Sequence, residues 1–518
     1  MTIDWSRAAS PPWAHQKIGA EALVRHPTFA LFDDVGLGKT KQVVDAAFAL
    51  RRAGAIDCIV AVAPASVRSV WADSDPALGE VAKHAWPGEP WELYEYCSRP
   101  AYRTHAIPRG ADCPSLLWIA TNYEFLRYGQ NGARPGPHLA NLIAKLRAHR
   151  TVLVFDESWA IKSHKSDQTK SCRILRRSCA RAVLLNGTPI ANDPADLWSQ
   201  FAILDPAIIG SPNFWAFRAT YAVMGGYLGR EIVSWRGLSR AADGSIAVEP
   251  GSPYARLLDR IAPYVLRREA KDCDDVPDAR RTRIEVPLSS ASWYVYRAMR
   301  DDAVVAIDRG ESVATIAGVR AVRLAQIAAG LLGGVDNGTG APPATEPIGT
   351  EKIDAGISWL KERFEHHGLK KAVVWCRFRM EADGAAAAVT RALPGVEIGF
   401  LRGSQSEADR NRAKRLLASG GDPSPAVVVG IPAAGGAGLT FDAAPAAVFL
   451  SNGYNLRERV QAEGRNNPMR TRVETIYVDV VATGPAGQST VDRAILAAIA
   501  RKDDVAKWTA AQWKEALL

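Results

Sequence analysis

The chain has 518 residues, enough for two or three domains with full-sized cores, and its 47% hydrophobic and 23% charged content is ordinary for a soluble globular protein. No apolar run approaches the ~20 residues that span a bilayer, and the opening MTIDWSRAAS lacks the apolar stretch of a signal peptide, so a cytoplasmic location in a cell or an infected host is expected. The net charge of +9 tilts toward a polyanionic partner. Seven scattered cysteines without a C-x-x-C pair argue against a disulfide framework and a structural zinc site, and Cys172 and Cys179 read as small core hydrophobes.

In chain order, TFALF, CIVAVA, LLWIAT, TVLVF and AVLL are short apolar runs rich in branched residues, the pattern of buried strands. Amphipathic stretches such as TKQVVDAAFALRRAG, closed by a glycine, predict helices between several of them. Such alternation predicts a parallel sheet covered on both faces. Residues 206–335 carry more helical pattern, and DNGTGAPPATEPIGT at 336–350 reads as a linker. A second block follows with KAVVWC, VEIGFL, AVVVGI, AAVFLS and TIYVDVV. The predicted fold is α/β, with parallel-sheet lobes at 1–205 and 351–518 and a helical insertion at 206–335 between them.

Residues 31–40, LFDDVGLGKT, end like a phosphate-binding loop but put Asp33 where the strict G-x-x-x-x-G-K-[ST] pattern wants its first glycine. The context suits a nucleotide: a strand enters, a helix leaves, and N–H groups at the helix start can hold phosphate oxygens. Gly36 and Gly38 allow close backbone approach, Lys39 neutralises the outer phosphates, and the Thr40 hydroxyl can hold magnesium. TVLVFDESWAI then places Asp156 and Glu157 directly after a buried strand, where a P-loop enzyme keeps its magnesium carboxylate and a neighbouring acid can orient or deprotonate the attacking water. Residues 162–181 hold seven cations against one acid, Asp167, which reads either as a solvated helix face or as a phosphate-contacting surface.

FDDVGLGKT, FDESWAIK and LNGTPIAN, in this order and spacing, resemble superfamily-two helicase motors, and among them the Swi/Snf-like DNA-dependent ATPases in the compact form common in phages and bacteria. That family replaces the first loop glycine as a rule. PPWAHQKIGAEAL resembles its adenine-reading segment, with Gln16 at the base edge. APASVRSVW and ATNYEFLR resemble segments gripping a nucleic-acid backbone, and IAPYVLRREAKD the segment closing the first lobe. KAVVWCRF, FLRGSQSEADR, IPAAGGAGLTFDAA and NLRERVQAEGR resemble the second-lobe motifs.

The resemblance implies two RecA-like lobes, ATP and Mg²⁺ as cofactors, and DNA as a partner bound largely without sequence preference. It implies a nucleotide site of Gln16, Asp34, Gly36, Leu37, Gly38, Lys39, Thr40 and Gly438, with Thr40 and Asp156 on the metal. Lys39, Asp156, Glu157, Gln461 and Arg465 become the catalytic set, Arg465 as the finger that stabilises transition-state charge. Ser66, Thr121 and Thr440 become phosphate contacts, with a turn-stabilising role open for each. Two positions depart from the family: Trp159 stands where the carboxylate box often has histidine, and Pro468 where a second arginine is usual, with Arg470 nearby. A DNA translocase or helicase is the leading reading. A non-catalytic DNA-binding protein on a motor fold, and a motor subunit of a restriction or recombination assembly, stand beside it.

Overall fold

The structure is a computed structural model describing residues 2–65, 67–76, 78–97, 107, 113–127, 135–187, 195–211, 213–225, 231–240, 246–269, 272–273, 279–308, 313–333, 345–403, 405–418, 422–433, 441–466, 471 and 473–500; for 231, 240, 246, 302–308, 313–320, 407 and 457 only the backbone is described. The chain forms two compact units, one running to Asp275 and one from Val276 to Arg501.

The first unit is built on seven strands: β1 (Thr28–Leu31), β2 (Cys58–Ala63), β3 (Trp91–Tyr96), β4 (Leu116–Asn122), β5 (Thr151–Phe155), β6 (Arg181–Leu185) and β7 (Val265–Leu266). All pair in parallel, in the order β7-β1-β6-β5-β2-β4-β3. Every residue of β2, β4 and β5 is buried, as a sheet covered on both faces demands. Among its helices are α1 (Ala14–Arg25), α2 (Lys39–Arg52), α3 (Asp167–Arg176), α4 (Ala195–Leu204), α5 (Phe214–Tyr221) and α6 (Pro253–Ile261). The apolar core collects Phe32, Phe155, Phe201, Phe217 and Tyr254 with Cys172 and Cys179, and all seven cysteines are buried free thiols.

The second unit holds β8 (Ala279–Pro287), β9 (Lys371–Trp375), β10 (Glu397–Leu401), β11 (Ala426–Gly430), β12 (Ala446–Phe449) and β13 (Thr475–Thr483). They form a second all-parallel sheet in the order β8-β13-β12-β9-β11-β10. Its helices include α7 (Ser290–Asp308), α8 (Val313–Ala328), α9 (Glu351–His366), α10 (Arg379–Ala392) and α11 (Leu456–Glu463). The expected α/β class with two parallel sheets in tandem is what the chain adopts.

Residues 206–335 divide between the units. Phe217, Tyr221, Trp235, Tyr254 and Leu257 join the first core, whereas β8 pairs along its whole length with β13 and Trp293, Tyr296 and Ile327 join an apolar cluster of the second unit. Most of the linker span, 336–344, lies outside the described residues. No helix among the described residues is long and apolar enough to cross a membrane.

Phe201 of α4 is fully buried and meets Phe32 edge-on, with ring centroids 6.0 Å apart, just after β1. Phe201→Ala is therefore expected to lower unfolding stability by about 3–5 kcal/mol, as read from a urea unfolding curve of the purified protein.

Candidate functional site

The glycine-containing loop lies between β1 and α2. Phe32 N–H donates to Leu266 O at 2.8 Å and Asp34 N–H to Arg268 O at 3.0 Å, so backbone pairing with the β7 segment continues past β1 into the loop. Gly36 and Gly38 then adopt φ of 97° and 71°, values that L side chains rarely take. A side chain at 38 would also meet Gln16, whose Nε2 lies 2.4 Å from an ideal Cβ there. Gly38 caps α2 without any side-chain hydrogen bond, leaving the first-turn N–H groups of a 14-residue helix available to an anion. Lys39 Nζ donates to Asp33 O at 2.6 Å and Asp34 O at 3.0 Å. Burial pushes its amine below the ordinary value, while Asp33, Glu157, Asp156 and Asp34 pull it back up. Those four carboxylates therefore act on one amine. Thr40 follows it in the first turn of α2, half-buried.

Asp33 is more than a missing glycine. Its carboxylate is fully buried and takes two bonds from Arg268, Nε at 2.9 Å and Nη2 at 2.5 Å, plus one from Gln42 Nε2 at 3.1 Å. Arg268 also donates to Gln42 Oε1 at 3.0 Å and to His15 O. One guanidinium thus ties α1, the loop, α2 and the end of β7 together. A Cβ at Gly19 of α1 would sit 1.7 Å from Gln42 Oε1, so any side chain there must displace the Gln42 amide from Arg268 and Asp33. Gln16 is buried, bonds the Trp13 N–H through Oε1 at 3.1 Å, and donates to Leu37 O at 3.5 Å, with His15 Nε2 on the same carbonyl at 3.0 Å. Leu37 is buried beneath them, and Asp34 lies 3.9 Å from Arg267 Nη2.

The carboxylate pair follows β5. Each acid is held by an indole: Trp71 Nε1 donates to Asp156 Oδ2 at 2.8 Å, and Trp159 Nε1 to Glu157 Oε2 at 2.7 Å. Asp156 Oδ1 also accepts the Glu157 N–H at 2.9 Å, and Asp156 O accepts Tyr123 Oη at 2.8 Å. Burial, reinforced by the Glu157 charge, pushes the Asp156 carboxyl up to about 6, against the opposing effects of Trp71 and Lys39. Glu157 has φ 53°, the one positive φ at a non-glycine among the described residues. Strain of this kind costs about 1–3 kcal/mol and persists where surroundings enforce it.

Other expected site residues are placed less openly. Thr121 is fully buried near the end of β4, its hydroxyl without a partner among the described residues. Arg465 lies in a short turn after α11, buried at 3% exposure, with its carbonyl accepting the Phe441 N–H at 2.8 Å. Gln461 is half-buried, and its Nε2 has no partner among the described residues. Ser66, Gly438, Thr440, Pro468 and Arg470 lie outside the described residues.

Sequence reasoning missed the partners: Arg268 for Asp33, Trp71 for Asp156 and Tyr123 beneath it. All three lie inside segments singled out as motifs, but nothing in their spacing says which side chains meet. The Asp33–Arg268 pair yields a measurable outcome. Arg268→Ala leaves a buried carboxylate uncompensated and is expected to cost about 3–5 kcal/mol of unfolding free energy. Asp33→Asn in the same background removes the stranded charge, so a thermal melt of the double variant should recover most of the loss.

A family model described as the SNF2-related domain matches residues 25–328, a span that includes the loop, the carboxylate pair and Arg268. The SWI/SNF-related matrix-associated actin-dependent regulator of chromatin subfamily A-like protein 1 of Xenopus laevis is 28% identical over 201 residues, 39% of this chain and 17% of that protein. Human DNA excision repair protein ERCC-6 is 25% identical over 288 residues, 52% of this chain and 17% of that protein. The matches thus span about a sixth of those relatives' length. The solved Sulfolobus solfataricus SWI2/SNF2 ATPase core in complex with dsDNA is 17% identical, covers 94% of this chain and 91% of its own, and superposes with a TM-score of 0.41. Because the family model covers more than half of the 518 residues, the chain belongs to the SNF2-related domain family.

Proposed function

We propose that the chain is a DNA-dependent ATPase that converts ATP hydrolysis into movement along DNA. The observation that carries this reading is the convergence of Lys39, Asp156 and Glu157 on one electrostatic neighbourhood, beside a helix N-terminus with no side-chain cap. The N–H groups at the start of α2 would take phosphate oxygens, with Lys39 moving from its loop carbonyls to the outer phosphates. Gln16, Asp34, Gly36, Leu37 and Gly38 frame that loop, and Gln16 is assigned the adenine edge. Thr40 and Asp156 would hold Mg²⁺, which when bound neutralises charge developing on the phosphates. Glu157, with Oε2 fixed by Trp159, keeps Oε1 for the attacking water. Gln461 and Arg465 are assigned to the second unit's share of hydrolysis, with Gly438 in its nucleotide-facing motif.

DNA is the partner assigned to this motor, gripped by its backbone with Ser66 and Thr440 as assigned contacts, which predicts weak sequence preference and steep salt dependence; Thr121, assigned with them, is fully buried and reaches a phosphate only if the end of β4 is uncovered. Family membership and the names of the relatives support this partner. A catalytically weak DNA-binding protein is the second reading, favoured by the burial of Arg465.

ATP hydrolysis measured without nucleic acid and with single-stranded DNA, duplex DNA or RNA separates the two. Stimulation by DNA is expected, with Lys39→Ala lowering the stimulated rate by a factor on the order of 10²–10³; no hydrolysis under any condition would leave the binding-protein reading. Trp159→Phe keeps the ring and loses the donor. Its kcat should fall on the order of tenfold, the scale of one hydrogen bond to a charged group, with KM within about twofold and Trp159→His restoring part of the rate.

A further inference from the structure

The basic stretch at 162–181 is sorted by the structure into cations that build the fold and cations that face outward. Arg176 is absorbed by the carbonyls of Leu204 and Cys179 at 3.1 and 2.8 Å. Arg181 donates to Leu23, Val24 and His26 carbonyls at 2.9, 2.7 and 2.8 Å, closing the C-terminal end of α1. Lys162 and Lys170 pair with Asp196 at 3.4 Å and Asp167 at 3.2 Å. Lys165 and Arg177 are exposed, and Arg173 lies half-buried against the Trp198 ring with its charge 5.7 Å from the centroid.

Beside this surface stands Trp215, the second residue of α5, with 59% of its area exposed. Its neighbour Phe214 is anchored inward, stacked on His164 at 4.1 Å between ring centroids and packed edge-on against Trp198 at 5.6 Å. Trp215 touches that cluster only edge-on, its ring centroid 6.5 Å from that of Phe214. Instead the Arg218 guanidinium lies 4.7 Å and the Lys165 ammonium 6.0 Å from its ring centroid. Burial and the charges of Lys165 and Arg173 hold His164 below its ordinary value, which favours the neutral imidazole.

The two cations lie over the exposed indole, so it suits a ligand that joins a flat π-face to an anion: the ligand's ring takes the cations' place on the indole while they turn to its charge. A nucleotide in a single strand is such a ligand, because its base can stack on the ring while its phosphates meet the cations. In intact duplex the base faces are already stacked and unavailable. We propose that Trp215, with Lys165 and Arg218, forms a stacking platform for an unpaired nucleotide, so that this motor binds single strands and single-strand tails at a place that duplex does not use. The inference rests on the DNA-binding part of the function proposed above.

The test is equilibrium binding by fluorescence anisotropy, without ATP, of labelled oligo(dT), a blunt duplex, and a duplex with an oligo(dT) tail. Wild type, Trp215→Ala and Trp215→Phe are compared, with thermal melts confirming that these exposed substitutions leave the fold intact. Trp215→Ala should weaken oligo(dT) and tailed-duplex binding on the order of tenfold, within the range of one base–aromatic stack. Blunt-duplex binding should stay within about twofold, and Trp215→Phe should retain most of the affinity. Equal losses on all three DNAs, or no loss on oligo(dT), would overturn the platform while leaving DNA binding standing. Failure of the wild type to bind any of the three would remove the DNA reading and the platform together.

Discussion

The ion pair between Asp33 and Arg268 is the constraint on which the first unit's site depends. A fully buried carboxylate is tolerated only because the guanidinium grips both its oxygens and Gln42 supplies a third bond. Glycine at position 33 would have given a loop free to take its own shape. Aspartate gives one whose shape is dictated by the end of β7, since the backbone of Asp34 bonds Arg268 as well. Lys39 then finds the Asp33 and Asp34 carbonyls within reach because the pair has fixed where they point. The departure from the strict phosphate-loop pattern is therefore a different way of holding the same turn.

The two acids after β5 show how one scaffold gives adjacent carboxylates different surroundings. Asp156 is half-buried between Trp71, Tyr123 and the backbone, and its carboxyl is pushed up to about 6. Glu157 is turned away from it by a left-handed backbone and fastened by Trp159. An indole donates and never accepts, so each acid keeps its acceptor oxygens on a fixed side. Trp159, the departure from the family's usual histidine, is thus a donor to the glutamate beside it.

Much of this architecture was legible in the sequence because a doubly covered parallel sheet demands unbroken apolar runs. CIVAVA, TVLVF and AVVVG each became a fully buried strand. The strands that went unread are those that break this rule. WELYEY lies at the sheet edge with five of its six residues half-buried, and ARRTRIEVP alternates charge and burial as the outer strand beside β13. Val265–Leu266 was too short to stand out, yet it carries the chain back to the first sheet beside β1, ten residues before the boundary between the units at Asp275. Motif spacing singled out Lys39, Asp156 and Glu157, each local to a turn, and the structure brings them into one electrostatic neighbourhood. It could not find Arg268, because the bond that matters spans 235 residues.

That separation also bears on how the protein is made. Six strands of the first sheet precede residue 186, but the loop's own clamp arrives only with Arg268. At ribosomal speeds of roughly 5–20 residues per second, the 235 residues between the two partners take about 12–47 s to synthesise. From the completion of β6 until Arg268 arrives, the Asp33 carboxylate has Gln42 but no cation clamp, and β1 has an open edge. The loop after β1 is thus among the last parts of the first unit to be clamped, although it is among the first to be translated.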